Sequence, residues 1–192
     1  KSFLVTSEEK KINNPKYFTK SQQKLALEQR KLSKMIKGSS NRNKQRIKVA
    51  RLHKHIQNQR EDFLHKISTK LINENQVICL ETLKVKNMEQ NRKIAKNIVD
   101  VSWSRFIEML KYKAKWYGRI IVQIPSTYPS SQLCYKCGYQ NSITKDLSIR
   151  KVICPKCGSS YDRDANAAKN ILRKGLELLK AGTQPDSLLI LS

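Results

Sequence analysis

Acidic residues are scarce in this chain. Fifteen Asp and Glu stand against thirty-nine Lys and Arg, a formal net charge of +24, which excludes a neutral surface and points to a polyanionic partner, nucleic acid first. Glycine and proline are also few, six and five, too few for a collagen-like or linker-like chain. No apolar run nears the eighteen or so residues that a membrane helix needs, and no charged start precedes a signal-like apolar block. A soluble intracellular protein is therefore expected. What is present suffices for folding: 192 residues with 39% apolar content can build one ordinary domain with a small insert. The chain opens on Lys1 rather than Met, as a fragment of something longer would.

Hydrophobic periodicity organises the rest. "SFLVT" (Ser2 to Thr6) followed by "EEKKINN" predicts a short hairpin. From about Lys20, Leu25, Leu32 and Ile36 recur at helical spacing until Gly38-Ser39-Ser40-Asn41 interrupts them. A second helix then places Val49, Leu52, Ile56, Phe63, Ile67 and Leu71 on one stripe, completing an antiparallel helical hairpin. Its polar faces are lopsided: Lys20 to Arg60 holds thirteen Lys or Arg and only Glu28 as an acid, a pattern for contacting phosphates. His53, His55 and His65 lack ligand-spaced partners and read as surface or contact residues. "QVICLE" and "RIIVQI" read as buried strands. Between them Ile94, Ile98, Trp103, Phe106, Ile107 and Leu110 face one way on a helix, and Ala165 to Lys180 forms another, with Ile171, Leu172, Leu176 and Leu179 apolar. Strands alternating with helices predict an α/β domain.

Four of the five cysteines are paired. Cys134 and Cys137 are separated by two residues, sixteen follow, and Cys154 and Cys157 repeat the spacing. This is zinc-ribbon spacing. Each C-x-x-C turn aims two thiolates at one tetrahedral ion, and four thiolates leave no open position, so the zinc would be structural. Two disulfides or a redox pair fit worse with a reducing compartment. Lys136, Lys145, Arg150, Lys151 and Lys156 flank the cluster, placed either to offset its negative charge or to touch phosphates. Cys79 stands apart as a small buried residue.

Asp162 and Asp164 follow the last cysteine, just before a helix that starts near Ala165. One reading makes Asp164 the N-cap of that helix. The other brings in a second acid, Glu81 at the end of its strand. Converging carboxylates repel unless a divalent cation such as Mg²⁺ neutralises them, and phosphoryl transfer on a nucleic-acid strand uses such a site.

"VICLETLKVKNM", "YPSSQLCYKCG" leading into the paired cysteines, and "YDRDANAAKNIL", in that order, resemble the TnpB (OrfB) family of transposon-encoded proteins, relatives of the type V CRISPR effector nucleases. The resemblance implies an RNase H-like (RuvC) domain with the basic hairpin (20–72) within residues 1–127, a zinc ribbon inserted at 128–160, and residues 161–192 completing the nuclease fold. It implies an RNA-guided DNA endonuclease, with DNA and a guide RNA from the transposon end as partners, in the cytoplasm at the nucleoid. Carried over by motif, Glu81 and Asp164 are catalytic and hold Mg²⁺, and Cys134, Cys137, Cys154 and Cys157 hold Zn²⁺; Ser131 and Gln132 match a recurring element without an assigned role. The family's first catalytic acid, in a D-x-G strand, has no counterpart here. A domain lacking its first strand is expected, inactive by itself. The competing readings are a nucleic-acid-binding zinc-ribbon protein without catalysis and a zinc-ribbon protein of the translation machinery; the latter leaves Glu81 and "DRDANAA" unexplained.

Overall fold

The structure, a computed structural model, describes residues 2–82, 102–146 and 148–182. They fall into two compact units, one of Pro15–Leu71 with Val85–Leu110, the other of Lys1–Asn14, Ile72–Lys84 and Lys111–Ser192.

In the first unit, α1 (Tyr17–Ser33) is followed by α2 (Ser40–Glu74), whose thirty-five residues extend about 52 Å at 1.5 Å per residue. The turn is fastened by Arg42, whose guanidinium donates to the Leu32 and Met35 carbonyls at 2.8 and 3.0 Å. Those carbonyls lie at and just past the end of α1, where intrahelical donors run out; that of Leu32 also accepts from Met35 N–H at 3.3 Å. Leu25, Val49 and Ile56 form the buried seam, with Tyr17, Phe18, Leu32 and Leu52 against it. The contacts Leu32–Arg42, Glu28–Gln45 and Tyr17–Phe63 run in opposite sequence directions, so the helices are antiparallel as expected. Glu28, the lone acid, is only 4% exposed; it accepts from Gln45 Nε2 at 2.7 Å and pairs with Lys31 and Lys48, each at 3.1 Å.

Two details differ from the periodicity. Ile36 is 81% exposed, because α1 ends at Ser33 and the residue falls in the turn. In the second half of α2, Leu64, Ser68 and Ile72 are buried deepest rather than Phe63, Ile67 and Leu71. From Ile56 to Ile72 the buried face turns by about 160° around the helix, since each residue advances about 100°; a fixed stripe misses that rotation. Ser68 satisfies its hydroxyl on the Leu64 carbonyl at 2.7 Å. Ile94 and Ile98 lie outside the described residues, whereas Phe106 and Leu110 of α3 (Trp103–Trp116) are fully buried, as is Met109.

In the second unit, β1 (Ser2–Val5) and β2 (Lys11–Asn13) make the expected antiparallel hairpin. β3 (Val77–Glu81) and β4 (Ile120–Ile124) pair in parallel, in register from Val77 opposite Ile120 to Glu81 opposite Ile124. β5 (Lys151–Ile153) and β6 (Ser160–Asp162) form a third pair, antiparallel. Among the described residues the strands thus make three two-stranded sheets.

α4 (Arg163–Lys180) packs across β3 and β4. Its buried face is Arg163, Ala165, Asn166, Asn170 and Gly175, not the aliphatic set expected: Ile171, Leu172 and Leu179 are half-buried and Leu176 is exposed. Gly175 shows why. A Cβ there would stand 2.7 Å from the Cys79 Cβ and nearer still to its sulfur, so only glycine lets the helix lie this close to β3. No described helix is long and apolar enough to cross a membrane.

Candidate metal centre and the adjoining acids

The two C-x-x-C turns fold as copies of one knuckle. Gly138 N–H donates to the Cys134 carbonyl at 2.8 Å and Gly158 N–H to that of Cys154 at 2.9 Å. Each glycine holds a left-handed φ, 72° and 69°, that a side chain would strain. Cys134 N–H donates to Tyr139 O and Cys154 N–H to Ser159 O, both at 2.9 Å. The four sulfurs converge to within 4.8 Å of one another, with Cys134–Cys157 at 3.8 Å and Cys137–Cys154 at 3.6 Å. A tetrahedral ion bonded at about 2.3 Å to each thiolate sets sulfurs about 3.8 Å apart, whereas a disulfide needs about 2.05 Å. The donor set therefore fits a four-thiolate ion, as the spacing predicts. Burial opposes charge on Cys134, yet the Ser159 hydroxyl, nearby N–H groups and Cys154 outweigh it and bring the thiol down to about 6. Ser159 contacts two ligands, Cys157 at 3.1 Å and Cys134 at 3.5 Å, and hydroxyls in that position tune thiolates.

Beneath the first knuckle, α4 grips the chain leading into it. Asn166 accepts from Tyr135 N–H at 2.9 Å and donates to the Leu133 carbonyl at 2.7 Å. Asn170, fully buried, donates to the Ser130 and Leu133 carbonyls at 2.9 and 2.6 Å. Lys169 lies 4.4 Å from the Tyr135 ring centre. Both asparagines stand in "DANAAKN" and are four apart, the spacing of one helix face. Hydrophobic periodicity picks out the aliphatic residues of this helix and not these two; polar residues at four-residue spacing beside a cysteine knuckle are the signal for them.

The acids divide their roles differently from expectation. Asp162, not Asp164, caps α4: its Oδ1 accepts from the N–H groups of Asp164 and Ala165 at 3.0 and 3.1 Å. The helix begins at Arg163 rather than near Ala165, which moves the cap back two residues. Lys11 of β2 closes on the other oxygen of Asp162 at 2.7 Å. Burial works against ionising Asp162, but Lys11 and the two N–H donors prevail and hold its carboxyl below the usual range. Asp164 is thereby left out of capping. Its Oδ2 accepts from Arg150 Nη1 at 2.6 Å and its Oδ1 from Arg163 Nη2 at 3.2 Å. Of the basic residues flanking the cysteines, Arg150 serves this acid.

Glu81 ends β3 beside Ile124, and burial raises its carboxyl pKa. Among the described residues the four cysteines form a group of three or more metal-ligating side chains; Glu81, Asp162 and Asp164 do not close into another. His53, His55 and His65 are exposed on α2, in keeping with a surface role.

Residues 1–92 match the family described as "Probable transposase" (OrfB of IS605), and residues 103–171 the family described as "Cas12f1-like, TNB domain". A Streptomyces pristinaespiralis protein named "Putative RNA-guided DNA endonuclease" is 45% identical over 181 residues, 94% of this chain and 44% of that protein. The chain belongs to the TnpB family. InsQ of Escherichia coli K12, a TnpB relative with the same designation, is 35% identical over 88% of this chain and 46% of its own length. The TnpB-like protein L79 of Acanthamoeba polyphaga mimivirus is 31% identical over 77% of this chain and 30% of that protein. This TnpB chain thus spans less than half the length of these relatives. In three dimensions it is similar to a chain of the Cas12f1–sgRNA–target DNA complex, with a TM-score of 0.59 and 18% identity over 84% of this chain and 43% of that one. That likeness concerns the fold.

Proposed function

We propose that this chain is the C-terminal portion of an RNA-guided DNA endonuclease, with β3, β4 and α4 belonging to a RuvC-like domain that lacks its first strand here. Residues 1–127 and 161–192 form that domain, with the basic hairpin (20–72) inside it, and 128–160 form its zinc ribbon. The observation that carries the reading is the division of labour at the start of α4. Asp162 takes the cap, so the carboxylate of Asp164 is left to Arg150 and Arg163 while Asn166 and Asn170 bind the same helix to the cysteine knuckle. The ribbon thereby fixes where Asp164 stands.

Cys134, Cys137, Cys154 and Cys157 hold Zn²⁺ as a closed, structural set. Glu81 and Asp164 are the acids for Mg²⁺, which when bound supplies charge neutralisation at a scissile phosphate and activation of water. Burial raises the pKa of Glu81, and a cation bound there would offset that desolvation. Arg150 and Arg163 hold the Asp164 side chain in place until a cation competes for it. Exposed cations of the basic stretch 20–60 contact the phosphates of the target DNA and of a guide RNA from the transposon end.

The test is Mn²⁺ binding followed by electron paramagnetic resonance, with guide-directed cutting of a matched DNA as a second readout. Glu81→Gln and Asp164→Asn should each weaken Mn²⁺ binding about tenfold or more, since each removes one charged ligand, and abolish any cutting. Undiminished Mn²⁺ binding in both variants overturns the assignment.

A further inference from the structure

At the end of α3, Trp116 is 73% exposed and Tyr117 54%. Large aromatics usually bury their surface, and a contiguous exposed pair marks an interaction site. Tyr112, one turn earlier, supports Trp116 edge-on with ring centres 4.6 Å apart. Lys111 and Lys115 are exposed one residue before each of these rings, so cations and aromatics run as adjoining stripes of the helix. The backbone holds the display in place. Tyr117 N–H donates to the Lys113 carbonyl at 2.9 Å and Arg119 N–H to that of Ala114 at 2.8 Å, and Gly118 turns the chain with φ 60°, a helix stop of the left-handed kind.

The surface lies apart from the acids. Ile120, just beyond it, starts β4 opposite Val77, whereas Glu81 sits opposite Ile124 at the other end of the pair, about 13 Å along the strand. Its charge selects the partner. Of the four Lys or Arg from Lys111 to Arg119, Lys111 and Lys115 are exposed, Arg119 is half-buried and Lys113 is buried, and no acid falls between Lys111 and Asp146. Protein-binding interfaces deplete lysine at their centre, while single-stranded nucleic acid is held by aromatic faces for the bases and cations for the backbone.

We infer that Trp116 and Tyr117, flanked by Lys111 and Lys115, are a stacking platform for the bases of an unpaired DNA strand. The choice of DNA rests on the nuclease reading above: pairing of a guide with one target strand leaves the other unpaired, and such a strand has bases free to stack. A duplex does not.

Fluorescence anisotropy of the zinc-loaded full chain tests this in magnesium-free buffer with labelled oligodeoxythymidine, oligouridine and a DNA duplex. Trp116→Ala should weaken oligodeoxythymidine binding about tenfold, the loss of one stacked base. Trp116→Phe should retain most of the affinity, and duplex binding should hold within about twofold because cations dominate it. Equal losses on strand and duplex, or none on the strand, overturn the platform; so does aromatic-dependent binding that prefers oligouridine, which would make the partner RNA. Circular dichroism and zinc content, unmoved in Trp116→Ala, exclude misfolding as the cause. Mn²⁺ binding separates the two readings. Binding undiminished in Glu81→Gln and Asp164→Asn refutes the metal-site assignment yet leaves an aromatic-dependent platform standing, and Mn²⁺ binding lost in those variants with strand binding indifferent to Trp116→Ala does the opposite.

Discussion

Arg150 donates to Asp164 across 2.6 Å, and the two residues come from opposite sides of the second cysteine knuckle. Next to the pair, Arg163 N–H donates to the Arg150 carbonyl at 2.8 Å. Both side chains are more than a third exposed, so the pair itself is a weak source of stability. Its effect falls on what else can reach the carboxylate. Arg150→Gln should therefore tighten Mn²⁺ binding several-fold, with little change in thermal stability. Calorimetric titration checks this, and weaker Mn²⁺ binding in the variant would show that Arg150 helps the site rather than competing for it.

Asn170, itself fully buried, ties α4 to the approach of the first knuckle through the Ser130 carbonyl and, together with Asn166, the Leu133 carbonyl. Truncation to Ala leaves both without this donor, a loss of about 1–3 kcal/mol. The melting temperature should fall and zinc should pass to a chelator faster than in the wild type. Asn170→Asp keeps the shape but loses the donors, and should do no better. An unchanged rate of zinc transfer in both variants would uncouple the helix from the ribbon.

Gly175 admits no side chain beside Cys79. Gly175→Ala should destabilise the chain by about 1–3 kcal/mol through overpacking. Adding Cys79→Ala removes the sulfur but not the Cβ that would stand 2.7 Å away, so it should restore only part of the loss. Denaturant unfolding of the single and double variants measures the coupling.

Glu28 supplies a pH dependence. Its hydrogen bond from Gln45, aided by Lys48 and Lys31, pulls its carboxyl from 4.5 down to about 2. A pKa depressed in the folded state stabilises fully above the unfolded value and is lost as pH falls through the folded one. The melting temperature should accordingly drop between pH 4.5 and about 2, and drop less steeply in Glu28→Gln. Parallel slopes would remove Glu28 from the acid sensitivity.

The legible parts of this molecule are those where one local signal decides the structure. Cys134 to Cys157 announced their convergence because two-residue spacing constrains a knuckle by itself, and "VICLE" and "IIVQI" announced strands because short apolar runs bounded by polar residues have few other uses. Features set by a neighbour were harder to read. Nothing at Asp164 says that Asp162 will take the cap, since both are good caps, and nothing nearby in sequence announces that Lys11 meets the other oxygen of Asp162 from a distant hairpin. The polar inner face of α4 escaped notice because Asn166 and Asn170 are buried by their partners, not by their own hydrophobicity. The stripe of α2 was misplaced after Ile56 because periodicity fixes spacing and says nothing of a slow rotation.

β6 ends at Asp162 and α4 begins at Arg163, with no linker between strand and helix. One residue inserted there would swing Asp164 by about 100° around the helix axis and separate it from Arg150. The stretch between the knuckles has no such phase to keep, as its ends are pinned by Cys137 and Cys154. Length variation in this segment of the gene should therefore collect between the two cysteine pairs, while the six residues from Cys157 to Asp162 stay constant in number.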